Sequence, residues 1–494
     1  MYFLGIDSNA ERTVVAALDL ELATVVAAGT VEHDYIKGSE EGAIEQDPAV
    51  WISAMDSAVQ SCLSQLTGGR ERVTGIGVSG QPSGVVLLDQ ENRILRPAKL
   101  SGDASMVAAA EQISEAFGGP PGVLELTGNA MAPDCAASFL QWLKVNEPNN
   151  FKRTETVLLP HDFLNYWLTG VKRMEYGDSS ATGLMDIRSR SWSRPVLDFI
   201  DPRMQSCLPS LCSSRGAQGV LRADLAASWG LGKEVLVSSG GGTAMMEAIG
   251  AGNVMPGGVT VSLGEQGRVS GVSSEPIVDP RGEVSNFCDS TDQWMPTVVT
   301  PHATEPLELV SGLLGWNATQ LEEAIRMTEC GAGGLVVLPL SEDEVSGDPY
   351  GFIHGLTRKN TSPANLARAA VEGVALEFGY SLDRICELGF EPQNVHVSGE
   401  WSRSKVWRQL VANVLGLPVA AVKGGDGAAL GAALQAAVTF FRESGEDLTY
   451  QEIAAYAAEP TEGSRCEPNL KEHERYQEVL ARRQYLAESL RSSI

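Results

Sequence analysis

Val237–Gly252 reads VSSGGGTAMMEAIGAG and lies close to halfway along a chain of 494 residues. A β-branched run at Val235 and Val237 enters three glycines, Gly240, Gly241 and Gly242, and a small-residue segment with Met245, Met246, Ala248 and Ile249 follows. Strand, glycine turn, helix is a layout found in α/β folds. Without Cβ atoms, backbone N–H groups at the helix start can approach an anion. The residue such a turn presents here is Thr243.

A chain of this length exceeds one ordinary core, so two domains are expected. Its hydrophobic content of 43% and charged content of 20% are those of a globular protein. Lys plus Arg number 37 against 63 Asp plus Glu, a formal net charge of −26. That balance repels nucleic acid and anionic membrane, and argues against both as partners. A local nest of backbone amides can still bind phosphate. The eight cysteines are scattered without a CxxC pair, and the six histidines lack metal-ligand spacing. Free thiols in a reducing compartment are therefore expected, not disulfides or zinc. The start, MYFLGIDSNAERT, lacks a basic leader, and no apolar run has membrane-spanning length. The expectation is a soluble, cytoplasmic protein.

The chain opens with predicted strands at 2–6, 13–18 and 24–28, with a tight turn at 7–12. Asp47 and Pro48 start a helix that runs through 50–66. Further strands are expected at 73–78 and 85–88, and helices at 136–145 and 161–168, the latter stopped by Gly170. A second hairpin, 259–263 and 268–272, restarts the theme as a weak architectural repeat. Ser362 and Pro363 open a long helix with one apolar stripe, Val371, Val374, Phe378, Leu382, Ile385 and Leu388, closed by Gly389. GGDGAALGAALQAA predicts a helix able to pack closely, and 468–491 a charged terminal helix with a solvated face.

With these landmarks placed, the chain resembles the FGGY carbohydrate kinases, most closely the xylulokinase-like members. The resemblance rests on GIDS at Gly5–Ser8, GVSGQ at Gly77–Gln81, LRPAKL at Leu95–Leu100 and LPHDFLNYWLTG at Leu159–Gly170. It continues through YGDSSATGLMDIRSRSWS from Tyr176, the central glycine run, EGVAL from Glu372 and GAALGAAL from Gly427. It implies an α/β fold of two actin-like (ribonuclease-H-like) domains with an interdomain cleft. The expected division is an N-terminal domain, 1–250, carrying the sugar side and first phosphate loop, and a C-terminal domain, 251–494, carrying the nucleotide side. The family reaction is ATP-dependent phosphorylation of a ketose such as xylulose, with Mg-ATP as the implied cofactor and a homodimer compatible with it.

The ligand-facing motifs depart from the family pattern. The family's catalytic Asp after the glycine run is Thr243, and a threonine hydroxyl accepts no proton near neutral pH; losing a general base costs roughly 10²–10⁴-fold in rate. The first phosphate loop reads Asp7, Ser8, Asn9, Ala10, with Asp7 retained as the Mg²⁺ position. In the second, Gly264 is followed by Glu265, and two like charges about 4 Å apart repel by roughly 4 kcal/mol at an effective dielectric near 20. The sugar-side motif keeps Gln81 but continues Pro82, Ser83, without the family histidine; the expected tryptophan is Ser101, while Asp103 remains. The GERTP-like loop is Asp343–Gly347 without its arginine. On the adenosine side Gly399 precedes Glu400 and Trp401, where glycines are usual, and Gly427 looks intact. This pattern points to a catalytically impaired or inactive member, a pseudokinase with a binding or regulatory role. Two readings stay open beside it: an active ketose kinase using Glu247 or Asp103 as substitute carboxylate, and a structural subunit of a complex with an active paralogue.

Overall fold

The computed structural model describes residues 1–36, 42–67, 69–264, 266–301, 303–342, 349–422, 427–446, 448–458 and 460–491. By internal contact the chain divides into two compact units. The first is Met1–Pro256 with Val272–Pro296 and Gly424–Glu459, and the second is Gly257–Gly271, Thr297–Lys423 and Pro460–Ile494. By contact, Val272–Pro296 and Gly424–Glu459 pack with the first unit although they follow residue 250 in the chain.

In the first unit the strands lie in the order Ala217–Val220, Leu236–Ser238, Val73–Gly80, Tyr2–Ser8, Arg12–Asp19, Thr24–Glu32. Tyr2–Ser8 is antiparallel to Arg12–Asp19 and parallel to Val73–Gly80, so an opening hairpin is extended by parallel strands. Helix Pro48–Ser64 covers one face, with Asp47 capping it through a bond from the Ala49 amide. The other face carries helix Gly427–Glu443. Side chains at Gly5 and Gly77 would collide with that helix: a Cβ would fall 1.7 Å from Ala429 O and 2.0 Å from Ala432 O, respectively. Backbone-to-backbone packing explains why Gly427–Glu443 belongs to the first unit despite its place late in the chain.

The central glycine run is not a turn throughout. Gly240 turns the chain at φ 74°, but Gly241–Gly242 is a short strand pairing in parallel with Ser79 and Gly80. Helix Thr243–Gly250 follows and lies on Gly427–Glu443, where a Cβ on Gly431 would sit 1.8 Å from Met246 O.

The second unit repeats the topology with a different sequence. Its strands run in the order 297–300, Gly267–Gly271, Gly258–Leu263, Asn394–Ser398, Val419–Ala421. Gly258–Leu263 is antiparallel to Gly267–Gly271 and parallel to Asn394–Ser398. Helix Pro363–Glu387 starts where Ser362 and Pro363 place it. Burial is not confined to one stripe, however: every residue from Ala367 to Leu376 is buried. Arg368 and Glu372 are inside because they pair at 2.5 Å, and Tyr476 donates to Glu372 at 2.8 Å. Tyr476 stands on the terminal helix Leu470–Arg491, whose expected solvated face is thus opposed by a buried one holding Tyr476 and Leu480. Among the described residues no helix is long and apolar enough to cross a membrane.

Candidate active site

Three parallel strands of the first unit bring their C-terminal ends together. Asp7 stands opposite Ser79, Ser8 opposite Gly80, and Gly241–Gly242 opposite the same pair, so Thr243 emerges beside Asp7. Ligands in open α/β sheets gather at such ends. The Ser79 hydroxyl donates to Asp7 Oδ1 at 2.5 Å. Thr243 Oγ1 donates to Gly80 O at 3.0 Å and reaches Asp7 Oδ1 at 3.4 Å. Its single proton thus has protein acceptors within reach, nearest the Gly80 carbonyl, and the hydroxyl has no basicity to offer.

The first phosphate loop is closed on itself. Asn9 Oδ1 accepts the Glu11 and Arg12 amides at 2.9 and 3.0 Å, and the Asn9 amide donates to Arg12 O at 3.0 Å. Such an Asx turn occupies the N–H groups that a glycine-and-hydroxyl loop would leave for phosphate. Ser8 points inward, its hydroxyl bonded to Thr13 Oγ1 at 3.0 Å in a chain that continues to His33. Ala10 gives its carbonyl to Gln46 Nε2 at 2.6 Å. For Mg-ATP the fit is incomplete: Asp7 stands at the strand end with its Oδ1 accepting the Ser79 hydroxyl, and Ser8, Asn9 and Ala10 are engaged with the protein.

On the sugar side, two departures share one partner. Ser83 Oγ and Ser101 Oγ, at the positions where the sequence leads one to expect a histidine and a tryptophan, donate to the same Asp134 Oδ2 at 3.0 and 2.7 Å. Gln81 is nearly buried and its amide donates to Ser8 O at 3.1 Å, while Pro82 is exposed. Asp103 does not serve as a ready base. It is 2% exposed and accepts Lys99 Nζ at 2.9 Å and the Ile44 and Ser105 amides at 3.0 Å each. Burial pushes its carboxyl up, but the Ser105 and Lys99 donors outweigh burial and hold it below the usual range. Glu247, one turn beyond Thr243, lies against the start of helix Gly427–Glu443, its Cγ 3.5 Å from where a Gly427 Cβ would be.

Beneath the glycine strand lies a buried cluster that spacing alone does not reveal. His161 Nδ1 is 2.6 Å from Asp178 Oδ2, and its Nε2 is 3.0 Å from Asp162 Oδ1. Among the described residues Asp178 Oδ1 has no hydrogen-bond partner, and it would lie 3.0 Å from a Gly242 Cβ. Glu175 accepts the Gly177 amide at 2.6 Å and bonds the Ser214 hydroxyl. Burial pushes Asp178 up to about 6 and Glu175 up to about 8. Burial works to lower His161, but Asp162 and Asp178 hold its pKa well above the usual range. Gln435 closes the other side, accepting from the Gly240 amide at 2.8 Å and donating to Gly240 O at 2.9 Å. The motifs LPHDFL and YGDSS carry His161, Asp162 and Asp178 in plain view; only the fold makes them meet.

In the second unit, Gly399 is retained for a backbone reason: its φ is 84° and a Cβ would fall 2.3 Å from Leu263 O. Glu400 begins a short 3-10 turn, Glu400–Arg403. Trp401 packs on Trp407 with ring centroids 5.0 Å apart, and both border a small apolar hollow of about 20 Å³ with Val261, Leu263 and Phe378. A hollow that size holds about one water, not a purine. Gly264 bonds within its own turn, its amide to Gln266 O at 3.2 Å. Glu265 and the Asp343–Gly347 loop lie outside the described residues.

Two α/β units of one topology, each with an antiparallel hairpin extended by parallel strands, define the actin-like (ribonuclease-H-like) class. The N-terminal domain model of the FGGY family of carbohydrate kinases matches residues 2–250 and the C-terminal model residues 317–440, and the chain belongs to this family. It is 32% identical over 489 residues to a xylulose kinase of Haemophilus influenzae, covering 97% of this chain and 98% of that protein. Against a xylulose kinase of Escherichia coli K12 it is 32% identical over 438 residues, covering 87% and 88%. A crystal structure described as a xyloylose kinase from Brucella ovis matches with TM-score 0.91 and 30% identity over 100% of both chains.

Proposed function

We propose that this xylulokinase-like chain has lost efficient phosphoryl transfer and acts as a pseudokinase with a binding or regulatory role. The observation that carries the reading is Thr243, at the family's base position, donating its proton to Gly80 O at 3.0 Å. Phosphoryl transfer needs positioned phosphates and a residue that orients or deprotonates the acceptor hydroxyl. The Asx turn at Asn9 supports the same reading from the phosphate side. The Asp134 bonds to Ser83 and Ser101 support it from the sugar side, since groups expected to meet the sugar are satisfied internally.

The competing reading is an active ATP-dependent ketose kinase with a substitute base. Asp103 is a poor candidate for that role, held by Lys99 and two amides. Glu247 remains the residue to test, by its position one turn from Thr243. A coupled ADP-release assay with Mg-ATP and a ketose panel including xylulose decides between them. The proposal expects no sugar-dependent release above background. Sugar-dependent release at ordinary kinase rates that Glu247→Gln abolishes would establish the competing reading instead.

A further inference from the structure

Helix Pro160–Thr169 has two working faces. His161 and Asn165 lie under the glycine run, where Asn165 Nδ2 donates to Ser239 O at 2.7 Å. Phe163, Tyr166 and Trp167 turn the other way and, with Ile52 and Ile94, line an open cavity of about 650 Å³. That volume is within the range of small-molecule sites, and an apolar wall with few polar groups is their usual lining.

The charged groups lining this cavity are cationic, with the neutral Asn92 beside them, on a chain of net charge −26. Arg93 and Arg222 border it, but each is spoken for: Arg93 by Asp89 and Glu91, Arg222 by Asp224. Lys172 differs. Its Nζ donates to Asn92 Oδ1 at 2.5 Å and Thr156 Oγ1 at 3.0 Å, and lies 5.2 Å from the centroid of the Tyr166 ring. Among the described residues no carboxylate pairs with it. Lys172 is not itself a wall residue, but it touches two residues that are, Asn92 and Tyr166, and an ammonium held by neutral groups behind an aromatic wall is complementary to an anion joined to a planar ring.

We propose that this cavity is a second ligand site, separate from the strand-end site at Asp7 and Thr243, for a small planar aromatic anion. The ring would pack on Tyr166 and Trp167 and the phosphate or carboxylate would meet Lys172. The inference is independent of whether the chain turns over ATP.

Isothermal titration of the full chain with phenyl phosphate tests it, with benzyl alcohol as the ring without charge and inorganic phosphate as the charge without ring. The expected result is saturable one-to-one binding at least about tenfold tighter than either control, weakened about tenfold by Lys172→Gln and by Trp167→Leu. Thermal midpoints near that of the parent chain show that the variants fold; Lys172→Gln, at a half-exposed position, keeps the test available if Trp167→Leu does not. No saturable binding of phenyl phosphate, equal binding of inorganic phosphate, or unchanged affinity in a folded Lys172→Gln would overturn the proposal.

Discussion

On the proposed reading, Thr243 and Asn9 impair the same reaction from opposite sides, and their effects can be separated. Thr243→Asp returns a carboxylate to the family position, yet leaves the Glu11 and Arg12 amides bonded to Asn9 Oδ1. ADP release by Thr243→Asp alone is expected to stay well below ordinary kinase rates, and Thr243→Asp with Asn9→Gly to exceed it. If Thr243→Asp alone reached such rates, the loop would be less of an obstacle than its geometry implies. These two departures were legible in the sequence because each sits inside a short motif. The shared bond of Ser83 and Ser101 to Asp134 was not, since the partners are 51 and 33 residues apart. The buried cluster gives a second prediction. Glu175 is raised from 4.5 to about 8 and Asp178 from 3.8 to about 6, so the folded state binds more protons than the unfolded one across that window. Stability from both is present below the unfolded values and is lost as pH rises through the folded ones. The thermal midpoint is expected to fall between pH 5 and 8.5, and Glu175→Gln to flatten that fall. An unchanged slope in the variant would remove Glu175 from the account.

Among the elements, helix starts and stops read well from sequence: Asp47, Ser362 and Gly170 end or begin helices by local chemistry. The single stripe assigned to Pro363–Glu387 read less well, because Arg368 and Glu372 look solvated until their pairing with Tyr476 is known. The glycine run was the other miss, since pairing of Gly241–Gly242 with Ser79 and Gly80 is a long-range event. Close helix packing supplies a direct test. Gly431→Ala places a Cβ 1.8 Å from Met246 O, a backbone atom that cannot rotate away. Overpacking of this kind costs about 1–3 kcal/mol or more, which urea unfolding would show as a lower midpoint. A midpoint equal to the parent would mean that the two helices are not so tightly apposed.

At the level of the whole chain, the α/β class and the repeated hairpin theme were legible, and the family followed from motifs spread over nearly the full length. The membership of Gly424–Glu459 in the first unit was not, because it depends on glycines in four separate segments, Gly5, Gly77, Gly250 and Gly431, acting on one helix interface. The same distance between motif and consequence applies to the proposed function, in which a preserved framework carries altered ligand groups. The most direct measurement is single-turnover transfer, with the chain in excess over γ-labelled Mg-ATP and xylulose saturating. Labelled sugar phosphate is expected to form, if at all, at least roughly 10²-fold more slowly than the 1–100 s⁻¹ usual for kinases. Formation within that ordinary range would contradict the claim that this site has lost efficient phosphoryl transfer.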